Sequence, residues 1–223
     1  MDCCLIVDDE DKPIDSMTKL DAHKINPLVG KCKLHRAFSL FIIDSDDNVL
    51  IQKRANKKIT FPGLWGNSCC SHFCPKLKQT FEEVMLDPND YVNQVARRAA
   101  FELGLKLSNS PIFITRFKYS ADSGDGLGEN EIDYIYGLRE TRIRLALNPD
   151  EVADAKWIPM DDLGKHGTLF TPWIIALTSH QNWHQIKKAL LSCTTLDTQI
   201  HCAEEDVLGK GEQPDRCGEK LSG

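Results

Sequence analysis

The chain has 223 residues, 41% hydrophobic and 27% charged, which suits one globular domain or two small ones with a core that needs no staples. Its formal charge of -6 argues against the basic footprint of a general nucleic-acid binder, yet leaves room for a locally basic site that takes a small anion. No apolar run approaches the roughly 18 residues of a membrane span. The acidic start MDCCLIVDDEDK lacks the basic and long apolar regions of a signal peptide. The last residues, KLSG, are neither a peroxisomal nor an endoplasmic-reticulum address, so a cytoplasmic protein is expected. Nine cysteines, an odd count, then predict reduced thiols rather than disulfides.

In chain order, residues 3–8 and RAFSLFII (36–43) read as strands, the acidic DSDDN (44–48) as a turn, and VLIQKR (49–54) as the second arm of a hairpin. KKITFPGLWGNS (57–68) reads as a loop entering CCSH. Residues 77–86 suggest a helix. YVNQVARRAAFELGL (91–105) is a stronger one, with Val92, Val95, Ala99 and Leu103 on one face and Gly104 as its stop. Strands follow at 111–119, 131–140 and 154–159, with the glycine-rich acidic stretch SADSGDGLGEN as a hairpin loop between the first two. One helix from about 172 to 192, started by Pro172, closes the domain. The expected architecture is a single α/β/α sandwich with a mixed sheet over residues 1–195, followed by a polar, mobile tail at 196–223.

Four segments carry chemistry. LHRAFS places His35 before a strand, NSCCSH places two thiols and His72 on a loop, GENEIDY places Glu129 and Glu131 two apart, and RRAAFELGL places Arg97, Arg98 and Glu102 on one helix. At strand spacing the two glutamates share a face, which is costly unless a proton or a cation neutralises one of them. Imidazoles with carboxylates suit Mn²⁺, Mg²⁺ or Zn²⁺. Singly each segment is ordinary: a histidine at a strand start is usually a surface residue, and an alternating glutamate pair a solvated face. Their combination in one domain is not.

In this order and near this spacing, HRAFS, KITFPG…NSCCSH, ARRAAFELG, GENEIDY and TPW resemble the type 1 isopentenyl-diphosphate delta-isomerases of the Nudix-fold superfamily. The resemblance spans about residues 3–190. It implies interconversion of isopentenyl and dimethylallyl diphosphate by paired proton transfers, without flavin. It also implies a divalent metal held by His23, His35, His72, Glu129 and Glu131, with His23 on a linker as the upstream histidine. Cys70 and Glu131 become the groups on opposite faces of the alkene, Tyr119 a proton relay, and Trp173 the π face beside a developing cation. Lys19, Arg54, Lys58 and Arg98 match basic positions for the diphosphate, and Glu102 fits a second ion, Mg²⁺, bridging to it. Cys69 is then a neighbour and Cys74 a bystander. The chain departs from the family around 73–96, where FCPKLKQTFEEVMLDPND intervenes.

Three other readings compete. A Nudix hydrolase of a nucleoside diphosphate derivative needs a helix rich in glutamates, but Arg98 and Phe101 occupy glutamate positions, and Glu83 and Asn89 miss the upstream ones. An inactive binding protein on the same fold would be favoured by loss of Cys70 or Glu131, and both are present. A zinc knuckle of Cys69, Cys70, His72 and Cys74 lacks the paired spacing of structural zinc sites. Oligomeric state cannot be read from the chain.

Overall fold

A computed structural model describes residues 3–74, 88–141, 143–165 and 167–203. Among these, ten strands form one mixed sheet in the order β10-β7-β8-β3-β1-β2, with β4 and β6 also on β3, and β5 and β9 on β4. The strands are β1 (Cys3–Val7), β2 (Pro13–Thr18), β3 (His35–Ile43), β4 (Asn48–Arg54), β5 (Trp65–Gly66), β6 (Cys69–His72), β7 (Ile112–Gly124), β8 (Leu127–Arg139), β9 (Val152–Pro159) and β10 (Ile200–Cys202). The helices are α1 (Lys19–His23), α2 (Pro88–Leu103), α3 (Pro172–Ser179) and α4 (Trp183–Ser192). Two apolar clusters lie on the two faces of the sheet. One packs Phe38, Leu40 and Ile42 against Val95, Ala99 and Leu103 of α2. The other packs Phe41 and Ile43 with Trp173, Ile174, Ile186 and Leu190 of α3 and α4. This is the expected α/β/α sandwich. No described helix is long and apolar enough to cross a membrane.

β3 is the organising strand. All nine of its residues are buried, as befits a strand covered on both faces. It runs parallel to β8 along its whole length, with His35 opposite Glu131. Its other edge is shared by β1, β6 and β4 in succession. The expected β3–β4 hairpin is therefore closed only at its tip, by the pair Ile43–Val49. Beyond the tip the arms part, and β6 takes the place beside β3 from Ala37 to Leu40. The gap between the arms is where the site forms.

The entry of β3 is anchored by a buried ion pair. Arg36 Nε donates to Asp11 Oδ1 at 2.8 Å and Nη1 to the Tyr91 hydroxyl at 2.6 Å. Asp11 Oδ2 also accepts from Tyr134 at 2.5 Å and Arg116 at 2.9 Å. Removing one member of such a buried pair typically costs about 3–5 kcal/mol, because a charge is left unpaired. Because residues alternate along a strand, Arg36 held on one face commits His35 to the other.

Several expectations need correction. The acidic, glycine-rich stretch is not a long loop: β7 and β8 continue through it to a turn at Asp125–Gly126, both with left-handed φ, 54° and 76°. The single late helix is two, broken at His180, where the Asn182 amide N–H donates to His180 Nδ1 at 3.1 Å. Residues 196–203, expected in the tail, run along β7: β10 pairs with Arg116–Lys118, and Leu196 N–H donates to the Ile114 carbonyl at 2.9 Å. The rest of that tail and the helix expected at 77–86 lie outside the described residues. α2 does stop at Gly104, with φ 68° and Ala146 only 2.6 Å from where a Cβ would sit.

The thiols also differ. Cys3 and Cys74 are disulfide-bonded across 71 residues, with Cα atoms 5.4 Å apart, because β1 and β6 lie end to end along one edge of β3. Closing a loop of that length restrains the unfolded chain by up to about 4 kcal/mol. Cys74→Ser is therefore expected to lower Tm by up to about 10 °C, with no further drop on adding dithiothreitol. An unchanged Tm would show that the bond carries no stability.

Candidate active site and metal centre

Three elements around β3 bring five ligand-type side chains to one point. His23 ends α1, His35 opens β3, His72 closes β6, and Glu129 and Glu131 lie on β8. Their ligand atoms all fall within 4.8 Å of one another, and the three ring centroids are 4.8–4.9 Å apart. Groups about 2.1 Å from a common six-coordinate ion stand roughly 3–4 Å apart, so the spacing fits. The linker histidine expected at His23 is a fully buried helical one. Its Nδ1 meets the Lys19 carbonyl at 2.6 Å, and His35 Nδ1 meets the Lys33 carbonyl at 2.7 Å. A carbonyl only accepts, so both rings carry a proton on Nδ1 and turn Nε2 to the centre. His23 Nε2 lies 2.9 Å from Glu129 Oε2, and His35 Nε2 lies 3.7 Å from the same oxygen and 3.4 Å from Glu131 Oε1, all buried. That is an arrangement a cation satisfies.

The electrostatics agree. Burial works to raise the Glu129 carboxyl, but His23 and His35 hold it well below the usual range. Burial likewise pushes His35 down, yet its hydrogen bonds to the Glu129 and Glu131 carboxylates prevail and lift it to about 10. His72 is pushed down to about 3 by burial, despite Glu131, with the neighbouring imidazoles adding to the effect. The cluster without metal thus holds a proton on His35 and keeps His72 neutral.

Glu131 faces two ways. One oxygen lies 2.9 Å from His72 Nε2 and 3.4 Å from His35 Nε2; the other accepts the Tyr119 hydroxyl. Burial and the adjacent carboxylates push the Tyr119 phenol far up, so it stays protonated. Cys70, Tyr119, Glu131 and Trp173 line one cavity with Lys19, Arg54 and Lys58. Cys69 and Cys70 point to opposite sides: Cys69 is buried in the α2 core and Cys70 borders the cavity. Burial raises the Cys70 thiol to about 11, opposed chiefly by Arg54, whose Nη1 is 3.6 Å from the sulfur. The guanidinium also lies 5.2 Å from the Trp173 ring centroid, and its other nitrogens donate to the Thr60 and Phe61 carbonyls.

Arg98 and Glu102 stand behind this cavity, paired with each other at 2.7 Å. Glu102 is fully buried and also takes Gln52 at 2.9 Å and Lys58 at 3.4 Å. Burial works to raise its carboxyl, but Lys58 and Arg98 keep it low. Lys19 is pushed down by burial and then by Lys58, Arg54 and Arg98, the mark of four cations converging. Sequence reasoning missed Glu151, which accepts from both Lys58 and Arg98. Its only signal is a position after the turn NPD, where an acidic residue reads as ordinary solvent-facing polarity.

The NUDIX domain family matches residues 33–174. An isopentenyl-diphosphate delta-isomerase of Schizosaccharomyces pombe is 35% identical over 211 residues, covering 89% of this chain and 89% of that protein. One of Aspergillus fumigatus is 36% identical, covering 76% of this chain and 66% of that protein. An isopentenyl-diphosphate delta-isomerase II of Camptotheca acuminata is 32% identical, covering 90% and 69%.

Because an Nε2 must be unprotonated to ligate, metal affinity is expected to rise about tenfold per pH unit between pH 6 and 8, as the His35 proton is displaced. Glu129→Gln should weaken retention at every pH. Competition titration with a coloured chelator checks both; affinity independent of pH would contradict the charge assignment. With a NUDIX domain at residues 33–174 and isopentenyl-diphosphate delta-isomerases 32–36% identical over most of its length, the chain belongs to the isopentenyl-diphosphate delta-isomerase family.

Proposed function

We propose that this protein interconverts isopentenyl and dimethylallyl diphosphate through two proton transfers on opposite faces of the substrate. The observation that carries this reading is the composition of one cavity, which sets the proton-carrying groups Cys70, Tyr119 and Glu131 and the Trp173 indole beside the cations Lys19, Arg54 and Lys58. An anion entering among Lys19, Lys58 and Arg98 leaves its hydrocarbon end between Cys70 and the Tyr119–Glu131 pair. The free volume is about 20 Å³, room for one water, so binding parts the side chains. Lys58 and Arg98 exchange Glu151 for phosphate oxygens. Glu102 would hold Mg²⁺ at the diphosphate once Lys58 has turned away.

His23, His35, His72, Glu129 and Glu131 would hold the other ion: Mn²⁺, Mg²⁺ or Zn²⁺. When bound, it supplies positive charge that fixes the Glu131 carboxylate and stabilises its anion. A proton delivered from the Tyr119–Glu131 pair to the terminal alkene carbon would leave a tertiary cation; the Cys70 thiolate, the form that Arg54 favours, would take up the proton lost from the adjacent methylene on the other face, forming the new double bond. Tyr119 holds its proton in the resting protein, and Glu131 connects Tyr119 to the substrate. The Trp173 face can stabilise the cation by about 2 kcal/mol when desolvated. The proposal carries the remaining expectations of the sequence with it: an isoprenoid diphosphate as partner, no nucleic acid, no flavin, and a cytoplasmic setting.

The hydrolase reading fares worse because Glu102 is the one glutamate on α2, where a cluster of them is needed, and Phe101 at a glutamate position faces solvent, 53% exposed. Incubation with isopentenyl diphosphate and divalent metal in D₂O should give deuterated dimethylallyl diphosphate by NMR. Phosphate release from nucleotides without isomerisation would overturn the proposal. Cys70→Ala should lose about 10²–10⁴-fold or more in turnover. Cys69→Ala should cost packing alone, about 1 kcal/mol. An active Cys70→Ala protein, with an epoxide analogue labelling Cys69, would reverse the assignment.

A further inference from the structure

Asn67 has no part in the roles above, yet it is completely buried between two of the groups that do. It lies in the short step from β5 to β6. The Trp173 indole N–H donates to its Oδ1 at 2.9 Å. Its Nδ2 donates to the Cys69 carbonyl at 2.8 Å and to the Leu40 carbonyl at 3.2 Å. An indole only donates and a carbonyl only accepts, so the partners themselves fix which end of the amide is which.

The Cys69 carbonyl belongs to the peptide bond that leads into Cys70. One buried amide therefore joins the indole to the peptide that carries the thiol. Trp173 also packs in the apolar core, with Tyr119 among its ring neighbours at 6.1 Å. Its Cζ2 lies 3.6 Å from where a Cβ on Gly66 would sit, Phe61 approaches edge-on at 5.9 Å, and Arg54 stacks over the ring. None of these is a directional bond to the indole edge.

We propose that Asn67 is a positioning residue for the isomerisation, holding the Trp173 ring and the Cys70 thiol in one fixed relation through a single amide. This rests on the roles given above to Trp173 and Cys70. The diphosphate end of the site is untouched by Asn67. Its loss should therefore fall on kcat rather than on KM. A misplacement of about 1 Å at a reacting centre costs up to about 10²-fold. Asn67→Leu, which keeps the shape and removes the hydrogen bonds, should lower kcat about 10- to 100-fold, with KM within about threefold.

Two measurements go beyond a general structural role. In ¹⁵N-tryptophan-labelled protein, the indole resonance that disappears in Trp173→Phe should exchange with D₂O far more slowly than exposed indoles, and should lose that protection in Asn67→Leu. In a double-mutant cycle, Asn67→Leu should cost at least about threefold less in the Trp173→Phe background, where no N–H remains to be held. Rapid exchange of this indole in the unaltered protein, or equal losses in both backgrounds, would overturn the inference. The exchange arm uses unaltered protein and so stands even if Asn67→Leu fails to fold. Full turnover by Trp173→Phe would instead refute the role of the ring, and the catalytic part of this inference with it. A protected indole beside reduced turnover in both single variants supports both.

Discussion

Two carboxylates on adjacent same-face positions of β8, both closed off from water, cannot stay charged unless positive charge stands between them. Glu129 and Glu131 are 5% and 6% exposed, and the fold around them is arranged to meet that demand. β3 brings His35 opposite Glu131, β6 brings His72 alongside, and α1 closes the group with His23. Backbone carbonyls of Lys19 and Lys33 orient two of the rings. On the far face of β3, the Arg36–Asp11 pair holds the strand in the register this requires. A sheet strand buried on both faces, with a charged residue at its entry on each, is thus a consequence of the centre it supports.

The same charge distribution reaches the cavity. Glu129 and Glu131 line it, with Glu131 hydrogen-bonded to Tyr119 and His72. Lys19, Arg54 and Lys58 also line it, and Arg98 stands behind, paired with Glu102 and Glu151. Cys70 stands among them, where burial favours the thiol and Arg54 favours the thiolate. On the proposed function, a substrate with a charged head and an apolar tail would be oriented by these groups before any proton moves. Much of the barrier reduction in such sites comes from orientation and fixed dipoles rather than from the acidity of one group.

The strands and α2 were legible because their patterns are local. RAFSLFII is apolar on both faces, and Val95, Ala99 and Leu103 recur at helical spacing. The paired glutamates were legible because strand alternation alone places them together. What the chain does not show locally was missed. The β3–β4 hairpin parts because β6, from a later segment, competes for the same edge. The late helix breaks where TSHQN offers polar side chains that bond to nearby backbone, a signal outweighed by the run of apolar residues before it. His23 looked like a linker residue because its burial depends on contacts with β1, β2 and β8. Cys3 and Cys74 meet only once β1 and β6 share an edge. Asn67 in GNSCC reads as a turn former, and its bond to the Trp173 indole exists only once Trp173 has folded back against β5.

An ion bound jointly with three imidazoles would balance the buried glutamates, and pulsed electron paramagnetic resonance on Mn²⁺-loaded protein reads its ligands. One tightly bound Mn²⁺ should show ¹⁴N couplings from the three histidines, with the coupling from His35 lost in His35→Ala. A spectrum of Mn²⁺ with oxygen ligands alone would contradict it.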